Sequence, residues 1–108
     1  MVVDDQRGAV GFMRTVFEAA GEVEAGRPTE VRIGDSVVMV SESGEREVFP
    51  AFLYVYVDDV AATYQRALTA GAVSVEEPFD TPYGDRRAMV RDPFGNVYQI
   101  ASWRGTTV

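Results

Sequence analysis

The segment Arg91-Asp92-Pro93-Phe94-Gly95-Asn96-Val97-Tyr98-Gln99-Ile100-Ala101 decides the fold predicted for this chain of 108 residues. Asp-Pro-x-Gly is typical of a type I turn, because Asp bonds back to the chain, Pro presets φ and Gly closes the turn. A strand is predicted to follow from Val97 to Trp103, with alternate side chains on opposite faces. Gln99 then shares one face with Val97, Ala101 and Trp103.

The composition predicts a single soluble domain. Apolar residues make up 46% of the chain and charged residues 25%, which is ordinary for a globular protein. No run approaches the roughly 20 apolar residues of a membrane span. The N-terminus carries no basic-then-apolar leader, so a cytoplasmic location and no membrane partner are expected.

Charge and missing residue types exclude several functions. The chain has no Cys and no His, which removes disulfides, thiolate chemistry and the commonest general base and metal ligand. A net charge of −7 makes it a poor nucleic-acid binder and a better host for cationic partners.

The first half predicts one helix among short strands. Met1-Val2-Val3 is read as the end of a strand, Asp4-Asp5 as a helix N-cap, and Gly21 as the residue that ends the helix. A two-residue hairpin turn is predicted at Gly34-Asp35. The other predicted strands cover residues 22–25, 29–33 and 36–40, and residues 41–50 are predicted to form a loop.

The second half repeats this order of elements. Asp58-Asp59 caps a second helix and Gly71 ends it. The predicted strands cover residues 52–57, 72–76, 86–90 and 97–103, with a loop at 78–84. The pattern therefore predicts an α+β domain of two tandem βαβββ units, repeat one at 1–43 and repeat two at 50–104, whose sheets enclose a cleft.

Three motifs carry a family resemblance. Val57-Asp58-Asp59-Val60, Ala70-Gly71-Ala72 and the turn 91–96 resemble the vicinal-oxygen-chelate superfamily of glyoxalase I, extradiol dioxygenases and bleomycin-resistance proteins. Ile33-Gly34-Asp35-Ser36 and Tyr83-Gly84-Asp85-Arg86 are most similar to its PhnB-like and bleomycin-resistance-like branch. The resemblance implies a cupped mixed sheet with helices outside. It also implies that the first strand is truncated relative to the family.

The resemblance further implies where metal ligands would lie. In metal-dependent members, up to four strands each offer one inward ligand. By position, the first would precede Val2, the second falls on Val38, the third on or beside Phe52, and the fourth on Gln99. Val and Phe donate nothing to a cation and a lone amide oxygen is weak, so no metal and no cofactor is expected.

Other catalytic groups are poorly supported. The serines have no His to activate them. Glu76-Glu77 and Asp85 could act as acid or base if buried, or could simply be solvated. The pair Arg86-Arg87 could hold an anion, or could face water or a neighbouring Asp. No catalytic residue is therefore assigned.

The aromatic residues instead predict a ligand site. Phe52, Tyr54 and Tyr56 alternate along the strand that would carry a metal ligand in the enzymes. Such rings suit flat ligands or cations, although they could also fill the cleft as core. The predicted ligand-binding residues are Phe52, Tyr54, Tyr56, Tyr83, Arg86, Gln99 and Trp103.

The function expected from these residues and the resemblance is non-enzymatic binding of a small molecule. An aromatic or peptide-like natural product would be sequestered, as in bleomycin-resistance proteins. The alternatives are a diverged glyoxalase- or dioxygenase-type enzyme, and a structural or regulatory partner with a closed cleft. A homodimer is also expected, because an open sheet edge beside Val2-Val3 invites pairing and relatives of this type commonly pair.

Overall fold

The computed structural model describes residues 1–44 and 47–102. Over that part of the chain it contains seven strands and two helices, which confirms the α+β class. Neither of these helices has the length and apolar content needed to span a membrane. In chain order the elements are β1 (Val2–Val3), α1 (Gln6–Phe17), β2 (Thr29–Ile33), β3 (Ser36–Glu42), β4 (Phe52–Tyr56), α2 (Val60–Thr69), β5 (Val73–Asp80), β6 (Arg86–Arg91) and β7 (Val97–Ser102).

The strands form two mixed sheets with the same internal plan. The three-stranded sheet has the order β1-β3-β2, and the four-stranded sheet has the order β4-β7-β6-β5. In each sheet the first strand pairs parallel with the last, β1 with β3 and β4 with β7, while the remaining pairs are antiparallel. This shared plan agrees with the two tandem units predicted from the sequence.

Both helices begin at the predicted aspartates. The Asp5 carboxylate accepts a hydrogen bond from the Gly8 N–H at 2.9 Å, and Asp59 accepts one from Ala62 at 3.0 Å. These bonds satisfy amide groups that the first turn leaves unpaired. Gly71, with φ of 104°, follows α2 as predicted.

The predicted end of α1 at Gly21 is wrong. The helix stops at Phe17, and Glu18 takes the left-handed conformation with φ of 56°. Arg66 of α2 donates to the Val16 carbonyl at 3.1 Å, so a tertiary contact satisfies part of this helix end. The sequence around α1 does not reveal a contact supplied from fifty residues away.

Two strand boundaries also differ from the prediction. Residues 22–25 form no strand; pairing with β2 near them is a single bridge between Ala20 and Arg32. β5 continues to Asp80, so the loop predicted at 78–84 begins too early. Irregular register after Ser74 and after Glu76 lets an edge strand accommodate Pro78 without a full ladder.

The two units share one hydrophobic core. Phe12 and Phe17 of α1, in the first unit, lie against Tyr98 of β7, in the second, with ring centroids 5.6 and 5.1 Å apart. Tyr64 of α2 is also buried, so the three aromatic residues of the two helices all belong to the core. The opposite faces of the sheets are left without a helix.

Candidate functional site

The turn after β6 is built around the buried carboxylate of Asp92. One oxygen accepts from the Phe94 and Asn96 amides, both at 2.9 Å. The other accepts from the Asn96 side chain at 3.0 Å and from the Tyr98 hydroxyl at 2.9 Å. Burial first, and then the charge and hydrogen bond of Asp92, raise the pKa of Tyr98 well above its ordinary value.

This turn also positions β4 beside β7. The Asn96 side-chain oxygen accepts from the Ala51 amide at 2.9 Å, at the start of β4. Gly95 donates to the Asp92 carbonyl at 3.2 Å with φ of 93°, which closes the predicted turn. The turn residues therefore determine which β4 side chains stand next to Gln99.

The side of the four-stranded sheet away from the helices is called the open face here. Strand register places its side chains in rows that cross β4, β7, β6 and β5 in that order. The rows are Phe52–Val97–Arg91–Val73, Tyr54–Gln99–Met89–Glu76 and Tyr56–Ala101–Arg87–Phe79.

An aromatic strip lines one side of the open face. Phe52, Tyr54 and Tyr56, which define the strip, are 57%, 60% and 57% exposed. The Phe52 and Tyr54 rings lie 6.2 Å apart. Rings that are more than half exposed are not core fillers of the single chain, and they offer faces on which a flat molecule can stack.

Gln99 lies in the middle of the open face and is almost completely buried. It is 5% exposed, between Tyr54 on β4 and Met89 on β6. Its side-chain amide makes no hydrogen bond to any of the residues that the structure describes. No fully enclosed side-chain nitrogen or oxygen in the described part of the chain lacks a partner, so the Gln99 amide is accessible from the open face and can bond to a polar group of a ligand.

Arg87 is held in place on the other side of the open face. Its Nε donates to Glu76 at 3.1 Å, its Nη1 donates to the Tyr83 hydroxyl at 3.3 Å, and the guanidinium lies 4.9 Å from the Phe79 ring centre. Desolvation is the largest single influence and lowers the pKa of Arg87. The charge and hydrogen bond of Glu76, with smaller contributions from Tyr83 and Tyr54, together outweigh it, so the pKa of Arg87 is raised.

Comparison with known proteins assigns this architecture to a family. The sequence model of the Glyoxalase/Bleomycin resistance protein/Dioxygenase superfamily matches residues 1–100. This chain belongs to that superfamily. The uncharacterized protein Mb0911c of Mycobacterium bovis is 33% identical over 121 residues, which cover 93% of this chain and 78% of the relative.

Several solved structures have the same fold. TioX from Micromonospora sp. ML1 is 25% identical, with a TM-score of 0.79 over 94% of this chain and 93% of TioX. A lactoylglutathione lyase from Agrobacterium tumefaciens is 19% identical, with a TM-score of 0.74 over 96% of this chain and 90% of the lyase. The second likeness shows the fold alone.

The predicted ligand-binding residues are only partly brought together. Phe52, Tyr54, Tyr56 and Gln99 share the open face. Tyr83 reaches its edge through Arg87, whereas Arg86 pairs with Ser102 on the opposite side of the sheet and binds Asp80 at 3.1 Å. Trp103 lies outside the described residues. The binding role of every one of these residues stays a prediction.

Arg87, Met89 and Glu76 also reach this site, and the sequence did not single them out as ligand-binding residues. Arg86 and Arg87 are adjacent, so alternation puts their side chains on opposite faces of the sheet. Only the register between β6 and β7 determines which of the two shares a face with Gln99. The signal that could have found Arg87 is its even spacing from Met89, the residue that pairs with Gln99.

One of the superfamily's metal-ligand positions was assigned to the wrong residue. Val38 pairs with the fully buried Val31 and faces the core, so Val37 and Met39 are the β3 residues on the other side. Across residues 1–44 and 47–102, no group of three or more His, Cys, Asp or Glu could hold a metal ion. The donor set of Val, Met, Phe and a lone Gln amide does not fit a transition metal.

Proposed function

We propose that this chain is a non-enzymatic binding protein that sequesters an aromatic or peptide-like natural product, in the manner of the bleomycin-resistance members of its superfamily. The observation that carries the proposal is the exposed aromatic strip beside the Gln99 amide, which has no hydrogen-bond partner among the described residues. Exposed rings supply a stacking surface, and the amide supplies one donor and one acceptor for a peptide-like group.

The energy available on the open face is sufficient for useful affinity. Stacking on one aromatic ring contributes about 1–3 kcal/mol, by analogy with base–aromatic stacking. Two rings of the strip and a satisfied Gln99 amide then support a dissociation constant of about a micromolar. Ala101, a small residue between Tyr56 and Arg87, leaves room for a flat molecule between the strip and Arg87.

The alternative of a diverged glyoxalase- or dioxygenase-type enzyme has weaker support. It rests on membership in the superfamily, while the residues at the ligand positions do not suit a metal. The third alternative, a structural or regulatory partner with a closed cleft, requires the aromatic strip to be covered. In the single chain the strip is open.

Fluorescence titration tests the proposal, because Trp103 is the single tryptophan of the chain. Flat heteroaromatic antibiotics, bleomycin-like glycopeptides included, should quench or shift its emission and raise the melting temperature. Tyr54→Ala and Trp103→Ala should each weaken binding measured by calorimetry about tenfold, the loss expected for one stacking contact. Phe49→Ala, which changes an exposed ring outside the open face, is the control.

The contrary result is a broad panel of such compounds that changes neither emission, melting temperature nor heat. The closed-cleft role would then be the better account. Turnover of a glyoxalase- or dioxygenase-type substrate would favour the enzyme instead.

A further inference from the structure

Arg87 has hydrogen-bonding capacity that the protein itself does not use. A guanidinium carries five N–H donors, and two of those on Arg87 are engaged by Glu76 and Tyr83. The others have no acceptor among the residues that the structure describes. The engaged groups and the Phe79 ring fix the plane of the guanidinium, so the unused edge is already oriented.

The unused donors belong to a side chain on the same face of the sheet as the aromatic strip. Arg87 and Tyr56 belong to the same row, on strands separated by β7, so their backbones are about 10 Å apart. Ala101 stands between them and fills little of that space. A bicyclic aromatic molecule resting against Tyr54 and Tyr56 would bring a substituent on its edge to the guanidinium.

We propose that the open face selects flat aromatic ligands that carry a carboxylate, and that Arg87 is the residue that binds the carboxylate. This rests on the proposed binding function and narrows its ligand class. Arg87 and carboxylate match in charge and in planar geometry, and such pairs form two parallel hydrogen bonds. The preference of Arg87 for an anionic ligand opposes the effect of the chain's net charge of −7, which by itself favours cationic ligands.

Glu76 shapes this preference in two ways. Its carboxylate orients Arg87 through Nε, which leaves Nη2 and the second hydrogen of Nη1 for the ligand. It also competes for the same positive charge, and both side chains of the pair are about one-third exposed, at 29% for Arg87 and 34% for Glu76. A ligand carboxylate therefore gains less binding free energy from Arg87 than it would from an arginine without a carboxylate partner.

Three probes with one ring system test the proposal: 2-naphthoate, 2-naphthamide and 2-naphthylmethylammonium. In calorimetric titrations of the full chain at neutral pH and low salt, naphthoate should bind about tenfold more tightly than the ammonium compound. Arg87→Gln should weaken naphthoate about tenfold and leave naphthamide within about twofold. Arg87→Lys keeps the charge but loses the planar donor edge, so its affinity for naphthoate should lie between those of Arg87→Gln and the wild-type protein.

Matched variants separate this role from general electrostatics. Arg14→Gln removes an exposed arginine of α1, on the helix side of the molecule, and it should leave all three affinities unchanged. Glu76→Gln removes the competing carboxylate and should strengthen naphthoate binding about threefold. Melting curves of each variant check that the fold is intact.

The outcomes distinguish this inference from the proposed function. If the three probes bind equally well, or if Arg87→Gln weakens naphthamide as much as naphthoate, the carboxylate preference is overturned while aromatic binding stands. If none of the probes binds, the proposed function and this inference both fail.

Discussion

A single carboxylate organises the turn on which the site depends. Asp92 is 4% exposed and accepts hydrogen bonds from two backbone amides, a side-chain amide and a phenol. Such a network is stable only when every member is satisfied, because an unpaired buried polar group is costly. Through Asn96 and Tyr98 it connects the turn to β4 and to the core.

Tyr98 should make stability depend on alkaline pH. Its pKa is raised in the folded state, so above about pH 10 the unfolded chain ionises this phenol first. The free energy of unfolding should then fall with rising pH, by up to about 1.4 kcal/mol per pH unit from this residue. Tyr98→Phe should remove that part of the slope and cost about 1–2 kcal/mol at neutral pH.

Urea unfolding between pH 8 and pH 11 measures both effects. Tyr54→Phe makes the same chemical change at an exposed tyrosine and should leave the slope and the neutral stability unchanged. Equal slopes for wild type and Tyr98→Phe would contradict the account of this network.

Single residues also mark the limit of what the sequence predicts for the site. Alternation along β4 and β7 is enough to place Phe52, Tyr54, Tyr56 and Gln99 on one face, because each strand starts at a recognisable boundary. Register between β6 and β7 is a long-range property, and a shift of one residue exchanges Arg86 for Arg87. The sequence alone therefore named Arg86 as the ligand-binding arginine, and only the sheet reveals where Arg87 lies.

At the scale of elements, α1 contacts the second unit through a glycine. A Cβ added to Gly8 would lie 2.6 Å from a ring carbon of Phe94 and 2.6 Å from the Asp5 carboxylate. Gly11, in the same helix, has nothing within 4 Å of such an atom. The missing side chain of Gly8 therefore permits close packing of α1 on the turn that contains Phe94, whereas Gly11 makes no such contact.

The two glycines make a matched test of this contact. Gly11→Ala should stabilise the protein by about 0.5–1 kcal/mol, because alanine favours helix. Gly8→Ala should lower the free energy of unfolding by about 1–3 kcal/mol despite the same helical gain, because the Phe94 ring must move. The measurement is denaturant unfolding of both variants. Equal stabilisation by both substitutions would show that Phe94 does not press on α1.

Elements whose ends are determined locally could be predicted from the sequence. The capping aspartates, the Gly34-Asp35 hairpin and the Asp92 turn need only neighbouring residues, and the structure has all of them. The end of α1 depends on Arg66, which is distant in sequence, and the face of Val38 depends on which side of the β2–β3 hairpin packs on the core. Those two predictions failed because tertiary contacts override local signals.

At the scale of the whole molecule, the uncovered sheet faces support the predicted homodimer. Val37 and Met39 on β3 are 45% and 49% exposed. Exposed apolar surface of this kind commonly marks an interface, and two-fold pairing is its usual form. We expect a second copy to cover this side of β3 and to leave the aromatic strip open to a ligand.

Light scattering at micromolar concentration should give twice the 11.9 kDa mass of one chain. Met39→Glu places a charge on the predicted interface and should shift the mass towards that of a single chain. Val75→Glu, at a residue of similar exposure on the edge strand β5, should leave the mass unchanged. A single-chain mass for the wild-type protein would contradict the dimer.

Binding of a flat aromatic molecule to the open face can be observed by NMR mapping of the occupied site. With isotope-labelled protein and 2-naphthoate, the backbone amides of β4, β6 and β7 around Tyr54, Gln99 and Arg87 should shift in proportion to occupancy. The amides of α1 should remain in place. Shifts confined to the cavity of about 500 Å³ beside the start of α1, lined by Gln6, Arg27 and Ser41 among others, or no shifts at all, would contradict the claim.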